Sequence, residues 1–89
     1  YEPLINAWIM KATLYQMQGK YEQALTAITQ AIKQDPEHLQ ARLNRSTLYI
    51  SQENWEAAAI DLDIILEKIP LEPRAKYLSA IVSSKSGNA

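Results

Sequence analysis

The chain has 89 residues, a net charge of −1 and no cysteine. That length suits one small domain; the missing cysteine excludes disulfides and thiolate metal sites, and the near-neutral charge offers no basic surface for nucleic acid or an anionic membrane. Hydrophobic residues make up 47% and charged residues 21%, the balance of a chain that folds, and no apolar run approaches the length of a membrane span.

Two glycines and four prolines are few breakers for this length, and Ala, Leu, Ile, Gln, Glu and Lys, fair to good helix formers, dominate. The first predicted helix runs from about Pro3, a residue suited to a first turn, to Gln18. Trp8, Ala12 and Tyr15 follow one face, and Gly19 stops the helix because a left-handed turn costs glycine least. The second runs from Tyr21 to Gln34, with Tyr21, Ala24, Leu25, Ile28, Ala31 and Ile32 forming one apolar stripe. Pro36 ends it, since the residue before proline avoids the helical region. The third is expected from about Glu37 to Gln52. The fourth, with Asn54 as a plausible N-cap, runs to Lys68. A fifth begins near Pro73 and fades by Ser86, leaving a turn or frayed end over 86–89. Short connections make neighbouring helices antiparallel.

One interval recurs. It separates Ala7 from Ala41 and Ala41 from Ala75, and equally Tyr15 from Tyr49, Gln18 from Gln52, Ala24 from Ala58, and Pro36 from Pro70. Gly19, Glu53 and Gly87 share one turn position. A closed bundle has no reason to keep an interval, whereas stacked hairpins do.

Trp8, Ala12, Tyr15, Gly19, Tyr21, Ala24, Ile28, Ala31 and Pro36, followed by Ser46, Tyr49, Trp55, Ala58, Leu62 and Pro70, resemble the tetratricopeptide repeat, a 34-residue helix–turn–helix unit. The resemblance covers residues 5 to about 87. It implies an all-α fold, a right-handed superhelical solenoid of antiparallel hairpins with five helices. A single domain over 1–89 would hold one repeat at 5–38, a second at 39–72, and a partial third repeat or capping helix at 73–89. Departures are Lys11, Arg42 and Arg45 at apolar positions of the family pattern; their aliphatic stems are expected to lie along apolar surface. The small residues Ala12, Ser46, Ala24 and Ala58 are expected where paired helices approach closely.

The resemblance also implies a concave groove lined by the first helix of each repeat, holding a peptide. The matching residues are Asn6, Ile9, Thr13, Gln16 and Met17; Leu43, Asn44, Thr47 and Ile50; and Arg74, Tyr77, Leu78 and Ile81. One subfamily grips a C-terminal carboxylate with five polar residues. Here Asn44 matches and Arg74 replaces a lysine, but Ile9, Leu78 and Thr13 depart, which argues against that clamp.

The fourth helix carries Ala57, Ile60 and Ile64 where the second has Gln23, Thr26 and Gln30. This apolar outer face is expected to be covered, by another protomer, by the rest of a longer protein or by the fifth helix. Lys76, Ser79 and Ser83 give the fifth helix the polar face of a capping element, while Gly87 in register hints at a further repeat. The opening at Tyr1 rather than Met suggests a piece of a longer chain, and no compartment is assigned.

Catalytic signals are absent. His38 is read as a solvated turn residue. Asp61 and Asp63, two apart on a helix, point in different directions, and the serines near the end have no base beside them. No phosphate loop or catalytic motif occurs. The expected function is therefore a protein- or peptide-binding module without enzymatic activity, cofactor, nucleic-acid binding or membrane insertion. The rival expectation is a structural or oligomerisation segment that self-associates through the fourth helix. A regulatory appendage of an enzyme elsewhere in a longer chain is a third.

Overall fold

The structure, a computed structural model, describes residues 2–87. Tyr1, Asn88 and Ala89, and with the last two part of the expected C-terminal turn, lie outside the described residues. Five helices follow in order: α1 (Glu2–Met17), α2 (Tyr21–Gln34), α3 (Leu39–Ser51), α4 (Trp55–Lys68) and α5 (Pro73–Ser86).

Each boundary has a local cause. At the end of α1, Gly19 takes φ +77° and the Lys20 N–H donates to Tyr15 O at 2.8 Å. At the end of α3, Glu53 takes φ +59° and the Asn54 N–H donates to Tyr49 O, also at 2.8 Å. The turn therefore repeats bond for bond in the second hairpin, although one copy places glutamate where glycine is favoured. The connections between hairpins repeat too: the His38 N–H donates to Asp35 O at 3.0 Å and the Glu72 N–H to Ile69 O at 3.1 Å. Asn54 caps α4 as expected, accepting from the Ala57 N–H. His38 differs from the expected solvated turn residue. It is half-buried and its Nδ1 accepts from the Ala41 N–H at 3.3 Å, capping α3. Glu72, the equivalent residue one repeat further on, caps α5 in the same way through Ala75.

The helices form two layers. α1, α3 and α5 touch in sequence, α2 packs on α1 and α3, and α4 packs on α3 and α5. Among the described residues α2 and α4 do not touch, nor do α1 and α4. A closed four-helix bundle would bring α1 onto α4, so this is an open solenoid of helical hairpins. Its thinnest dimension is 17 Å, which fits two layers about 8–10 Å apart.

Two cores share α3. Its Ala41 and Leu48 join Ile5, Ala12, Ala24, Ile28, Ala31 and Ile32 of the first hairpin. Its Leu43 joins Ala58, Leu62, Ile65, Ala75 and Val82. Neither core closes without a helix from its neighbour, so stacking is a condition of folding. Ala12, Ser46, Ala24 and Ala58 are all essentially without exposure, the expected sites of close approach.

Arg42 and Arg45 do more than lay their stems on apolar surface. Both reach Asp61, which is fully buried: Arg42 Nη1 at 2.7 Å from Oδ1, Arg45 Nε at 2.8 Å from Oδ2 and Arg45 Nη2 at 2.9 Å from Oδ1. Arg45 also donates to Thr29 Oγ1 of α2 at 3.4 Å, and Arg42 Nε to Pro36 O at 2.8 Å. The triad thus ties α3 and α4 together and reaches back to the first hairpin. The hydrogen bond to Asp61 holds the Arg45 guanidinium above its ordinary pKa, against the opposing effect of burial. Asp63 is exposed, so the two aspartates do point apart.

Candidate functional site

On the face shared by the first helices, α3 and α5 diverge enough to leave a cleft of about 380 Å³. From α3 it is lined by Gln40, Leu43, Asn44 and Thr47, and from α5 by Pro73, Arg74, Tyr77 and Leu78. The floor is apolar. Leu43 is buried in the second core and Leu78 packs against it. Tyr77 stands over this floor as a wall, 68% exposed. Thr47 donates its hydroxyl to Leu43 O at 2.9 Å, which satisfies that group within its own helix.

One end of the cleft is polar and internally bonded. Gln40 Nε2 donates to Asn44 Oδ1 at 2.8 Å, and Arg74 Nη1 donates to Gln40 Oε1 at 3.3 Å. Gln40 and Arg74 are themselves 34 residues apart, so this bond joins equivalent positions of successive hairpins. Arg74 Nε donates to Glu72 Oε1 at 3.2 Å, placing a carboxylate against the cationic group that lines the cleft. The N–H of Ala75, and then Arg74, hold the Glu72 carboxyl below its usual range, although burial opposes them. The cleft therefore offers an apolar seat with hydrogen-bonding groups at one end and little net charge.

Six of the expected groove residues meet here: Leu43, Asn44, Thr47, Arg74, Tyr77 and Leu78. The others do not line this cleft. Asn6, Thr13 and Met17 are exposed on α1, while Ile9 packs on the first core and Ile50 on the second. Ile81 borders a separate cleft on α5. Gln40 and Pro73 were missed by sequence reasoning. The interval held the signal for Gln40, which stands midway between Asn6 and Arg74, both already placed in the groove.

On α4, Ile60 is 62% exposed, whereas Ala57 and Ile64 are half-buried. Ile64 is partly sheltered beside Leu39 and Arg42 of α3 rather than lying wholly on the outside. Among the described residues no cluster of His, Asp or Glu could hold a metal ion, and no helix is long and apolar enough to cross a membrane.

Comparison with curated proteins and with solved structures gave no match. A family model described as Tetratricopeptide repeat matches residues 9–73, well over half of the chain and reaching from α1 to the first residue of α5. With the repeated turn, the shared core of α3 and the open layering already in place, the chain belongs to the tetratricopeptide repeat family.

Proposed function

We propose that the chain is a non-catalytic adaptor whose α3–α5 cleft holds a segment of a partner polypeptide by one apolar side chain. Repeats of this family generally mediate protein–protein interactions and act as scaffolds. The cleft carries the finer reading: an apolar floor of Leu43 and Leu78, beside an exposed Tyr77, is suited to a branched or aromatic side chain. Asn44 and Gln40 at the polar end are suited to hydrogen bonds with the segment's backbone. Because Glu72 already faces Arg74, the fit favours a neutral segment over a strongly acidic one.

Selection of peptides from a random library on the immobilised chain tests this. Thr47→Arg and Tyr77→Ala are expected to cut capture of the selected peptides at least tenfold, and Ile60→Glu to leave it unchanged. Equal capture by all variants would remove the cleft as the site. The exposure of Ile60 favours a second reading, self-association through α4. Sedimentation at rising concentration would then show a mass increase that Ile60→Glu abolishes.

A further inference from the structure

The polar end of the concave cleft is one chain of hydrogen bonds, and chemistry fixes its direction. A guanidinium has donors and no acceptor, so Arg74 can only donate, to Glu72 Oε1 at 3.2 Å and to Gln40 Oε1 at 3.3 Å. That contact leaves the Gln40 amide one way round, with Nε2 donating to Asn44 Oδ1 at 2.8 Å. Asn44 is fixed in turn: its oxygen is used, and its Nδ2 hydrogens have no acceptor among the described residues. The chain is rooted in a buried group, because the Glu72 carboxylate is itself held by the N–H of fully buried Ala75 at 2.9 Å.

The repeat does not require this arrangement. The positions of Gln40 and Asn44 hold Asn6 and Met10 in α1, and Arg74 and Leu78 in α5. Neither pair can join two amides, yet both helices form and pack. The pair of amides stands only on the α3 wall of the cleft, where Asn44 lines the cavity beside Leu43 and Thr47. The Thr47 hydroxyl spends its hydrogen on Leu43 O, so it cannot supply a donor in place of Asn44.

We infer that Gln40 is a positioning residue for partner binding: it holds the Asn44 amide with its NH2 group toward the cleft, so that the α3 wall reads a carbonyl oxygen of the bound segment. The inference rests on the cleft reading proposed above and deepens it. Asn44 makes the contact, and Gln40 decides which end of that amide the segment meets. Because Glu72 already faces Arg74, a neutral carbonyl, of the backbone or of a side-chain amide, fits better than a carboxylate.

Gln40→Glu inverts the relay without changing its length. A carboxylate at position 40 accepts from Arg74 but has nothing to donate, so the Asn44 Nδ2 hydrogens turn to it and the Asn44 oxygen faces the cleft. The free protein tests this through the side-chain amide resonances of Asn44 in isotope-labelled material. They are expected to shift and to exchange more slowly with solvent in Gln40→Glu, with helicity retained. Unchanged Asn44 resonances would overturn the inference, whether or not any peptide binds.

Peptides selected on the parent chain give the second readout. Gln40→Met, which keeps the length and removes both polar atoms, should weaken them about threefold, and Gln40→Glu about tenfold. In an Asn44→Ala background, Gln40→Met should leave affinity unchanged. An equal loss in both backgrounds would mean that Gln40 contacts the segment itself, and would overturn the inference. Ester links placed one at a time in the peptide, which weaken a backbone carbonyl, and alanine in place of its Asn and Gln residues distinguish the two sources of the carbonyl. Indifference to every such change would also overturn it. Capture that ignores Tyr77→Ala would remove the cleft reading and the inference with it, whereas a failed Asn44 readout removes the inference alone.

Discussion

The two hairpins solve one packing problem with opposite chemistry. In the first, Trp8 of α1 lies near Ala27 of α2, with the Lys11 ammonium 5.3 Å from the Trp8 ring. In the second, the same three positions carry Arg42, Asp61 and Arg45, bonded to one another with the carboxylate fully buried. An aromatic beside a small residue needs only shape. An ion triad needs every partner, because a buried charge left alone is costly. The backbone turns around both are the same, so the fold constrains volume and helix approach more tightly than polarity.

The sharpest way to break this comparison is Asp61→Ala. Two arginines would lose their shared carboxylate, and we expect a loss of about 3 kcal/mol in urea unfolding, at the lower end because both arginines keep some contact with water. Transplanting the first hairpin's set, as Arg42→Trp, Arg45→Lys and Asp61→Ala together, should restore stability to within about 1 kcal/mol of the parent or better. A triple variant as unstable as the single one would show that the hairpins are not interchangeable.

The small residues give the next largest effect. Ala12→Leu adds an isopropyl group at a site that has no room and should cost about 1–3 kcal/mol. Ala80→Leu, at the same register in α5, should cost nothing measurable, because no helix among the described residues faces it. The turns follow. Glu53→Gly removes a non-glycine residue from the left-handed region and should stabilise the chain by about 1 kcal/mol. Gly19→Glu should destabilise it by a similar amount, by making the first turn like the second.

The smallest effect concerns acid. The folded state holds the Glu72 carboxyl below its ordinary pKa, so the group contributes stability at neutral pH. As pH falls below the usual carboxylate range, that contribution fades, and it is gone once pH passes through the lowered value. Thermal melts between neutral and acid pH should show this slope reduced in Glu72→Gln.

The recurring interval made the fold legible, because glycine, proline and alanine act locally and their positions need no partner to be read. The ion triad was hidden for the opposite reason. Arg42 and Arg45 lie 19 and 16 residues from Asp61, and only the pairing of α3 with α4 brings them together. Its trace in the sequence was a double exchange: Asp61 stands where Ala27 recurs and Arg42 where Trp8 recurs. The cleft was half legible. Register assigned its lining residues to one face, but the separation of α3 from α5, which opens the cavity, depends on side-chain volumes across two helices. The cap formed by His38 was missed because histidine is an uncommon N-cap, and only the backbone geometry turns its Nδ1 toward the Ala41 N–H.

Amide shift mapping with a library-selected peptide tests the functional account most directly. Saturable changes that centre on Leu43, Asn44, Thr47, Arg74, Tyr77 and Leu78 are what the cleft predicts. Changes confined to the outer face of α4 around Ile60, with these six residues unmoved, would contradict it.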